Sequence, residues 1–192
     1  ANDSIFASPG TGCIYQVPPV LITEIMYNPP ETGADSLEFI ELYNKGNAVI
    51  DFDDFYFSSG VDYTFQNLQL TPGERVVIAK NKLAFQSVFG FMPLQWTSGD
   101  LDDNGEMIQI KDPYGNIIDQ VAYDDESPWD TIPDGNGPSL SFCYPYLDNS
   151  LPEYWTPATE FAAINGNGDT IWASPLSGCT LPDYEIVITE IM

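Results

Sequence analysis

Three glutamates on the first two predicted strands are the residues whose spacing could bring carboxylates together. Glu24, Glu38 and Glu41 lie in short apolar runs, so pairing of these strands would bring two of the side chains close. Converging carboxylates can bind Ca²⁺ through their oxygens, or act as the acid and base of glycoside hydrolysis. They can also be structural, by accepting hydrogen bonds from turn amides or by facing solvent. The structural interpretation is favoured, because two carboxylates carry little information in a chain with 29 Asp and Glu residues.

A second set of oxygen-bearing side chains follows later in the chain. It comprises Asp100, Asp102, Asn104 and Glu106. Counted from the first of these, oxygens occupy positions one, three and five, and Gly105 stands at position six. The twelfth position is Lys111, where an EF-hand needs a bidentate Glu. The four residues are therefore candidate ligands of a looser calcium site, and a hairpin turn at 103–105 is the favoured alternative.

Histidine is absent from the chain. Its absence removes the usual acid and base at neutral pH and the usual activator of a Ser or Cys nucleophile. We therefore expect no enzyme activity.

Tryptophans supply the remaining candidate ligand-binding residues. Trp96, Trp129 and Trp155 could stack on sugar rings, as in carbohydrate-binding modules. Large aromatic side chains also fill the core of a domain of this size. Packing in the core is the favoured interpretation, and sugar stacking is the alternative.

The net charge limits the partners of the protein. Five Lys and Arg residues stand against 29 Asp and Glu residues, which gives a net charge of −24. Such a surface repels the phosphates of nucleic acids and anionic membranes. No apolar stretch is long enough to span a bilayer, so we expect neither nucleic-acid binding nor membrane insertion. The charge favours a secreted or salt-adapted protein, with attraction of cations as the alternative.

An internal repeat organises the chain. Residues 3–13 return as 169–179 and residues 22–26 return as 188–192, both at an offset of 166 (13 to 179, 22 to 188). A single offset without gaps predicts a tandem array with a domain-sized period. The predicted parts are a linker at 1–18, a domain at 19–146, an aromatic-containing inter-unit segment that packs on the domain at 147–184, and the first strand of the next repeat at 185–192. An unpaired apolar strand seeks a sheet edge, so we expect that strand to pair with a neighbouring molecule or with this domain.

The repeat also explains the odd number of cysteines. Each unit would own Cys143 and one of the repeated pair, Cys13 or Cys179. We favour a Cys143–Cys179 disulfide, since the N-terminal copy lies in the linker, and a Cys13–Cys143 bond or unpaired buried thiols are the alternatives. One disulfide per unit is typical of an oxidising, extracellular location.

Short strands and turn residues dominate the predicted secondary structure. Strands are predicted at 20–26, 37–43, 48–51, 55–57, 63–65, 74–80, 107–110, 117–123 and 139–144. The one helix is predicted at 81–89, with Asn81 as its N-cap and Gly90 at its end. About nine short strands with regular turn signals predict an all-β, two-sheet β-sandwich with one short helix.

An ordered series of motifs resembles the bacterial lamin-tail domain over roughly residues 19–144. The series comprises ITEIMYNP at 22–29, EFIELYN at 38–44, YTF at 63–65, LTPGE at 70–74, DNGE at 103–106, DPYG at 112–115, VAY at 121–123, Trp129, PDG at 133–135, Gly137 and SL at 139–140. The resemblance implies an immunoglobulin-like sandwich without catalytic machinery, in a secreted or surface multidomain protein. The chromatin roles of nuclear lamin tails do not carry over, because the charge contradicts them.

One departure from the family pattern concerns the last strand. Bacterial members often place a basic residue after the Ser-Leu pair, where this chain has Ser141, Phe142 and Cys143. Any ion pair of that residue with Glu24, Glu38 or Glu41 would then be missing.

These observations predict a non-catalytic structural or interaction module of a secreted or cell-surface protein, which acts as a spacer or adhesive unit. Its partners would be neighbouring repeats and a protein or polysaccharide at a cell surface. No cofactor is required, and calcium is the one candidate. The alternative function is a module that binds polysaccharide or another surface polymer, with calcium dependence of that binding left open.

Overall fold

The computed structural model describes residues 16–31 and 35–179. Within these ranges the chain forms thirteen strands, one α-helix, α1 at Lys82–Phe89, and one turn of 3-10 helix at Pro152–Tyr154. The strands are β1 Val20–Met26, β2 Phe39–Asn44, β3 Ile50–Asp51, β4 Tyr56–Ser59, β5 Gln69–Leu70, β6 Arg75–Ala79, β7 Leu94–Gln95, β8 Glu106–Lys111, β9 Ile117–Tyr123, β10 Leu140–Phe142, β11 Trp155–Pro157, β12 Phe161–Ile164 and β13 Thr170–Trp172.

Two sheets enclose the main core. The larger sheet has the order β11-β10-β1-β2-β6-β7 and is antiparallel except for its β6–β7 pair. The smaller sheet has the order β4-β8-β9, and β3–β5 and β12–β13 form two-stranded ribbons. Side chains from both sheets contribute to one buried cluster. The predicted all-β, immunoglobulin-like two-sheet β-sandwich with one short helix is confirmed.

The central strands β1 and β2 are buried on both of their faces. Successive side chains of a strand point to opposite faces, so Ile40 and Leu42 enter the main core while Phe39 joins a second cluster. That second cluster is covered by α1 and by the β12–β13 ribbon. Phe85 of α1 and Ile171 of β13 are both 0% exposed. The outer face of the larger sheet is therefore not open to solvent at this point.

Helix α1 follows its local sequence signals. The side chain of Asn81 accepts hydrogen bonds from the backbone N–H groups of Leu83 and Ala84, as an N-cap does. The helix ends at Gly90, which takes a left-handed conformation with φ 81°. Glycine has no Cβ, so it adopts this conformation without steric cost.

The segment after β10 is more regular than its sequence indicated. It adds β11 to the edge of the larger sheet, where Phe142 pairs with Trp155. It then folds β12 and β13 over the outer face of that sheet. These strands have only three or four residues each, which is too short for an alternating pattern to identify them.

Other expectations differ from the structure or lie outside it. The strand predicted at 63–65 is wrong, since Thr64 makes only an isolated bridge to Tyr56. Phe65 nevertheless lies in the core, 0% exposed. Most of the predicted linker, with Cys13, and the predicted strand at 185–192 lie outside the described residues.

Candidate functional site: a buried carboxylate clasp

A polar strip crosses the outer face of the larger sheet, beside the apolar cluster. Glu24 of β1 and Glu41 of β2 are register partners within it. They are 1% and 0% exposed, although two adjacent carboxylates repel each other and lose their hydration on burial. Buried carboxylates of this kind require compensating partners.

Arginine compensates the charge of Glu41. The Nη1 atom of Arg75 donates to Glu41 Oε1 at 2.6 Å, and the hydroxyl of Thr23 donates to the same oxygen at 2.6 Å. The guanidinium also donates to Thr23 Oγ1 at 3.0 Å and lies 4.3 Å from the centre of the Tyr43 ring. Arg75 is thereby fixed in one orientation over the strands.

Hydroxyl and amide groups surround Glu24. The hydroxyl of Ser139 donates to Glu24 Oε1 at 2.5 Å, and the backbone N–H of Ser174 donates to it at 2.8 Å. Burial raises the pKa of Glu24 to about 8, and the negative charge of Glu41 adds to this effect. Glu24 therefore keeps its proton at neutral pH.

The two glutamates hold a turn of the C-terminal segment. The backbone N–H of Leu176 donates to Glu41 Oε2 at 2.6 Å, next to the contact between Ser174 and Glu24. The N–H groups of Ser177 and Gly178 both donate to the carbonyl of Ser174 and close the turn. We call the set Glu24, Glu41, Arg75 and Ser139 the carboxylate clasp, and residues 169–179 the clasp segment.

Glycine and cysteine complete the attachment of the clasp segment. A Cβ at Gly178 would lie 2.6 Å from Nη2 of Arg75 and would have to displace the guanidinium, and the φ of 68° also favours glycine. A disulfide then joins Cys179 to Cys143, with the two Cα atoms 5.5 Å apart. This is the pairing favoured above because the N-terminal copy lies in the predicted linker.

The third glutamate anchors a different loop. Glu38 accepts from Lys80 Nζ at 2.7 Å and from the backbone N–H of Leu101 at 2.8 Å. Burial raises the pKa of Glu38 to about 7, against the lowering effect of these two donors. The last strand supplies no basic residue at 141–143, and two of the glutamates instead pair with cations at the two ends of the β6 region, Arg75 and Lys80.

A family model described as Lamin Tail Domain matches residues 15–125, which is more than half of the 192 residues. The chain belongs to the lamin tail domain family. The resemblance carried by the sequence motifs is thus confirmed. This family is immunoglobulin-like and generally non-catalytic, in keeping with glutamates that are occupied by donors of the protein itself.

Other comparisons add little to the family assignment of this lamin tail domain. No curated protein matches the chain. Among solved structures, it is similar to a DUF4876 family protein from Bacteroides thetaiotaomicron VPI-5482, with 14% sequence identity and a TM-score of 0.36. The match covers 80% of this chain and 56% of that protein, and a likeness this distant carries no functional information. No helix within the described ranges has the length and apolar character needed to cross a membrane.

The predicted calcium ligands of the lamin tail domain have hydrogen-bond or ion-pair partners within the protein. Asp100 pairs with Lys80 at 2.7 Å, so its carboxylate faces an ammonium group. Asp102 Oδ1 accepts from the backbone and side chain of Asn104, and these bonds lower the pKa of Asp102. Glu106 Oε1 accepts from the backbone N–H of Asp102 at 3.1 Å. Asp102, Asn104 and Glu106 thus form a hydrogen-bonded turn. The described residues contain no group of three or more His, Cys, Asp or Glu side chains arranged to hold a metal.

The predicted sugar-stacking residues lie in the core. Trp96, Trp129 and Trp155 are 4%, 7% and 3% exposed. The indole N–H of Trp96 donates to the carbonyl of Gly99, and that of Trp155 donates to the carbonyl of Asn149. A sugar ring needs a free aromatic face, so the assignment of these three residues to ligand binding is corrected to core packing.

Sequence reasoning missed the clasp residues other than the glutamates. Arg75 and Ser139 carried no motif that points to a buried carboxylate, and neither did Ser174 of the clasp segment. One signal was available, since alternation along β2 places Glu41 on the same face as the apolar Phe39. A charged residue on a face that another element covers must find a partner there.

Proposed function

We propose that this lamin tail domain is a non-catalytic structural and interaction module of a longer extracellular or cell-surface protein, in which it acts as a spacer or adhesive unit. The attachment of the clasp segment carries the proposal. Two buried carboxylates, an arginine and a disulfide hold a segment that an ordinary linker would leave free. Such an attachment suits a protein that must transmit position from one unit to the next.

Neighbouring repeats are the proposed partners within the same protein. The repeat of β1 begins at Ile186, seven residues beyond Cys179, and seven extended residues span at most about 25 Å. Anchoring of Cys179 on the sandwich therefore confines the start of a following unit to a small region. A spacer of defined geometry requires this restriction.

Charge and redox chemistry support the extracellular part of the proposal. A disulfide persists in oxidising compartments and is reduced in the cytosol. The net charge of −24 keeps such a module apart from nucleic acids and anionic lipids. We propose a protein or polymer at a cell surface as the external partner, although core packing of the three tryptophans leaves stacking on sugars without its expected residues.

The location can be tested on cells that make the native protein. Intact cells are treated briefly with protease, and released peptides are identified by mass spectrometry, while free thiols are alkylated before lysis. We expect release of peptides from this domain, together with an oxidised Cys143–Cys179 pair. Recovery of the domain only after lysis, with both cysteines alkylated, would overturn the proposed function.

Calcium is not required for the proposed function. Because Asp100, Asp102 and Glu106 already bind partners within the protein, we expect the same Tm with Ca²⁺, with Mg²⁺ and with a chelator at equal ionic strength. A ligand that binds only the folded state raises Tm by mass action. A rise specific to Ca²⁺ would contradict this expectation and favour a calcium-dependent adhesive module.

A further inference from the structure

The clasp segment has a second copy at the other end of the chain. Residues 3–13 read DSIFASPGTGC and residues 169–179 read DTIWASPLSGC, which are identical at seven of eleven positions. The structure describes the second copy and its contacts with the sandwich. These contacts show which of the eleven residues hold the segment on the sandwich.

The identical positions include those that hold the segment in place. Ile171 and Ala173 are 0% and 5% exposed and pack in the second apolar cluster. Ser174 donates to Glu24, Gly178 lies against Arg75, and Cys179 forms the disulfide. The corresponding residues of the first copy are Ile5, Ala7, Ser8, Gly12 and Cys13.

None of the four positions that differ is fully buried. Leu176 is 44% exposed and Ser177 is exposed as well, and Thr170 and Trp172 are only partly buried. Leu176 also has a φ of 67°, which is costly for leucine, whereas the first copy has Gly10 there. The contact between Leu176 and Glu41 uses the backbone N–H, which glycine retains.

We propose that residues 3–13 are a second clasp segment, which docks on the carboxylate clasp of another copy of this domain. The Cys13 thiolate then attacks a mixed disulfide between the Cys143 of that copy and a small thiol, forms the Cys13–Cys143 bond and releases the small thiol. The inference rests on the tandem module proposed above and adds the element that would bind one unit to another. In a chain of repeats the copy would be the preceding unit. Between separate molecules, the copy would be a second chain whose carboxylate clasp is not occupied by its own clasp segment.

A transplanted segment tests whether the first copy fits the clasp. The full chain carries Thr170→Ser, Trp172→Phe, Leu176→Gly and Ser177→Thr, so that residues 169–179 have the sequence of residues 3–13. We expect the Cys143–Cys179 disulfide to form and Tm to stay within about 5 °C of the wild type. The control is Gly178→Val alone, whose side chain meets Arg75. Loss of the disulfide, or a fall in Tm as large as that of the control, would overturn the proposal.

Disulfide exchange with a peptide tests docking between separate molecules. The full chain carries Cys13→Ser, Gly178→Val and Cys179→Ser, which opens its own clasp, and Cys143 is first converted to a mixed disulfide with glutathione. A synthetic peptide of residues 1–15 is then added. Its Cys13 thiolate attacks the sulfur of Cys143, forms the Cys13–Cys143 bond and releases reduced glutathione.

We expect the peptide to exchange at least about ten times faster than a control peptide with Ser8→Pro and Gly12→Val, since docking raises the effective concentration of its thiol. The control lacks the N–H for Glu24 and adds a side chain against Arg75. Equal rates for the two peptides would overturn docking. That result would leave the cell-surface location untouched, so the two proposals can fail separately.

Discussion

The two glutamates of the clasp solve the same electrostatic problem in different ways. Glu41 is ion-paired with Arg75 at 2.6 Å, whereas Glu24 has only neutral donors and a raised pKa. One proton and one guanidinium thus remove the repulsion between adjacent buried carboxylates. Both side chains remain able to accept hydrogen bonds from the turn at 174–178.

The raised pKa of Glu24 predicts a pH dependence of stability. The pKa of Glu24 is about 8 in the folded protein and takes its ordinary value of 4.5 in the unfolded chain. Between these two pH values the folded protein therefore binds more protons than the unfolded chain. Its contribution to stability is therefore complete below pH 4.5 and is lost as pH rises to about 8. Burial also raises the pKa values of Glu38 and Asp119.

In the wild type the unfolding free energy should decline as pH rises. We expect Glu24→Gln to make this slope shallower by at most about 1.4 kcal/mol per pH unit. Urea unfolding at several pH values between 4.5 and 8 measures the slope. The matched control is Glu153→Gln, at an exposed position, which should keep the slope of the wild type. An unchanged slope for Glu24→Gln would show that Glu24 titrates as an ordinary carboxylate.

Removal of Arg75 should be costly. We expect Arg75→Met to lower the unfolding free energy by about 3–5 kcal/mol, because the buried charge of Glu41 loses its partner. Denaturant unfolding measures this loss, and Lys82→Met, at an exposed position, should cost no more than about 0.5 kcal/mol. The double variant Glu41→Gln with Arg75→Met should lose less than the sum of the single variants. Additive losses would argue against coupling of the pair.

At the scale of elements, the β12–β13 ribbon connects the core to the clasp. Ile171 of β13 is buried in the second cluster, three residues before the Ser174 that contacts Glu24. The ribbon contacts helix α1 on the same face of the sheet. Packing of an apolar side chain thus brings the polar turn into register with the two glutamates.

The ribbon offers a matched pair of isoleucines. Ile171 is 0% exposed and Ile164 is 62% exposed. We expect Ile171→Ala to lower the unfolding free energy by about 2–5 kcal/mol and to speed reduction of the disulfide, since the clasp segment loses its apolar anchor. Ile164→Ala should stay within about 0.5 kcal/mol of the wild type. Equal losses from both, measured by urea unfolding, would mean that the ribbon does not pack as described.

At the scale of the whole molecule, the disulfide attaches the clasp segment covalently to the sandwich. It links residues 36 positions apart, and a loop of this length corresponds to about 4 kcal/mol in the chain-entropy account. Part of the sandwich and the clasp segment are thereby tied into one unit.

We expect Cys143→Ala to lower Tm by about 10 °C, and reductant to lower the Tm of the wild type by a similar amount. Scanning calorimetry measures both changes. Cys13→Ala is the matched control, because it keeps the Cys143–Cys179 bond. A Tm that neither change lowers would mean that the clasp holds its segment without covalent help.

Local patterns in the chain were sufficient to predict much of the sandwich. The alternation in β2, the Asn81 and Gly90 caps of α1 and the turn between β8 and β9 each lie within a few residues of the structure they specify. Interactions of this range depend little on the rest of the fold. The family assignment also follows from the order of such motifs.

Contacts between residues that are far apart in the sequence were decided by the tertiary structure. Glu41 meets Arg75 across 34 positions, and Glu24 meets Ser174 across 150. The order of strands in the larger sheet and the bulge in β1 between Ile22 and Glu24 select these partners. A hydrogen bond between distant residues has no local signature, because its geometry exists only once the strands are paired.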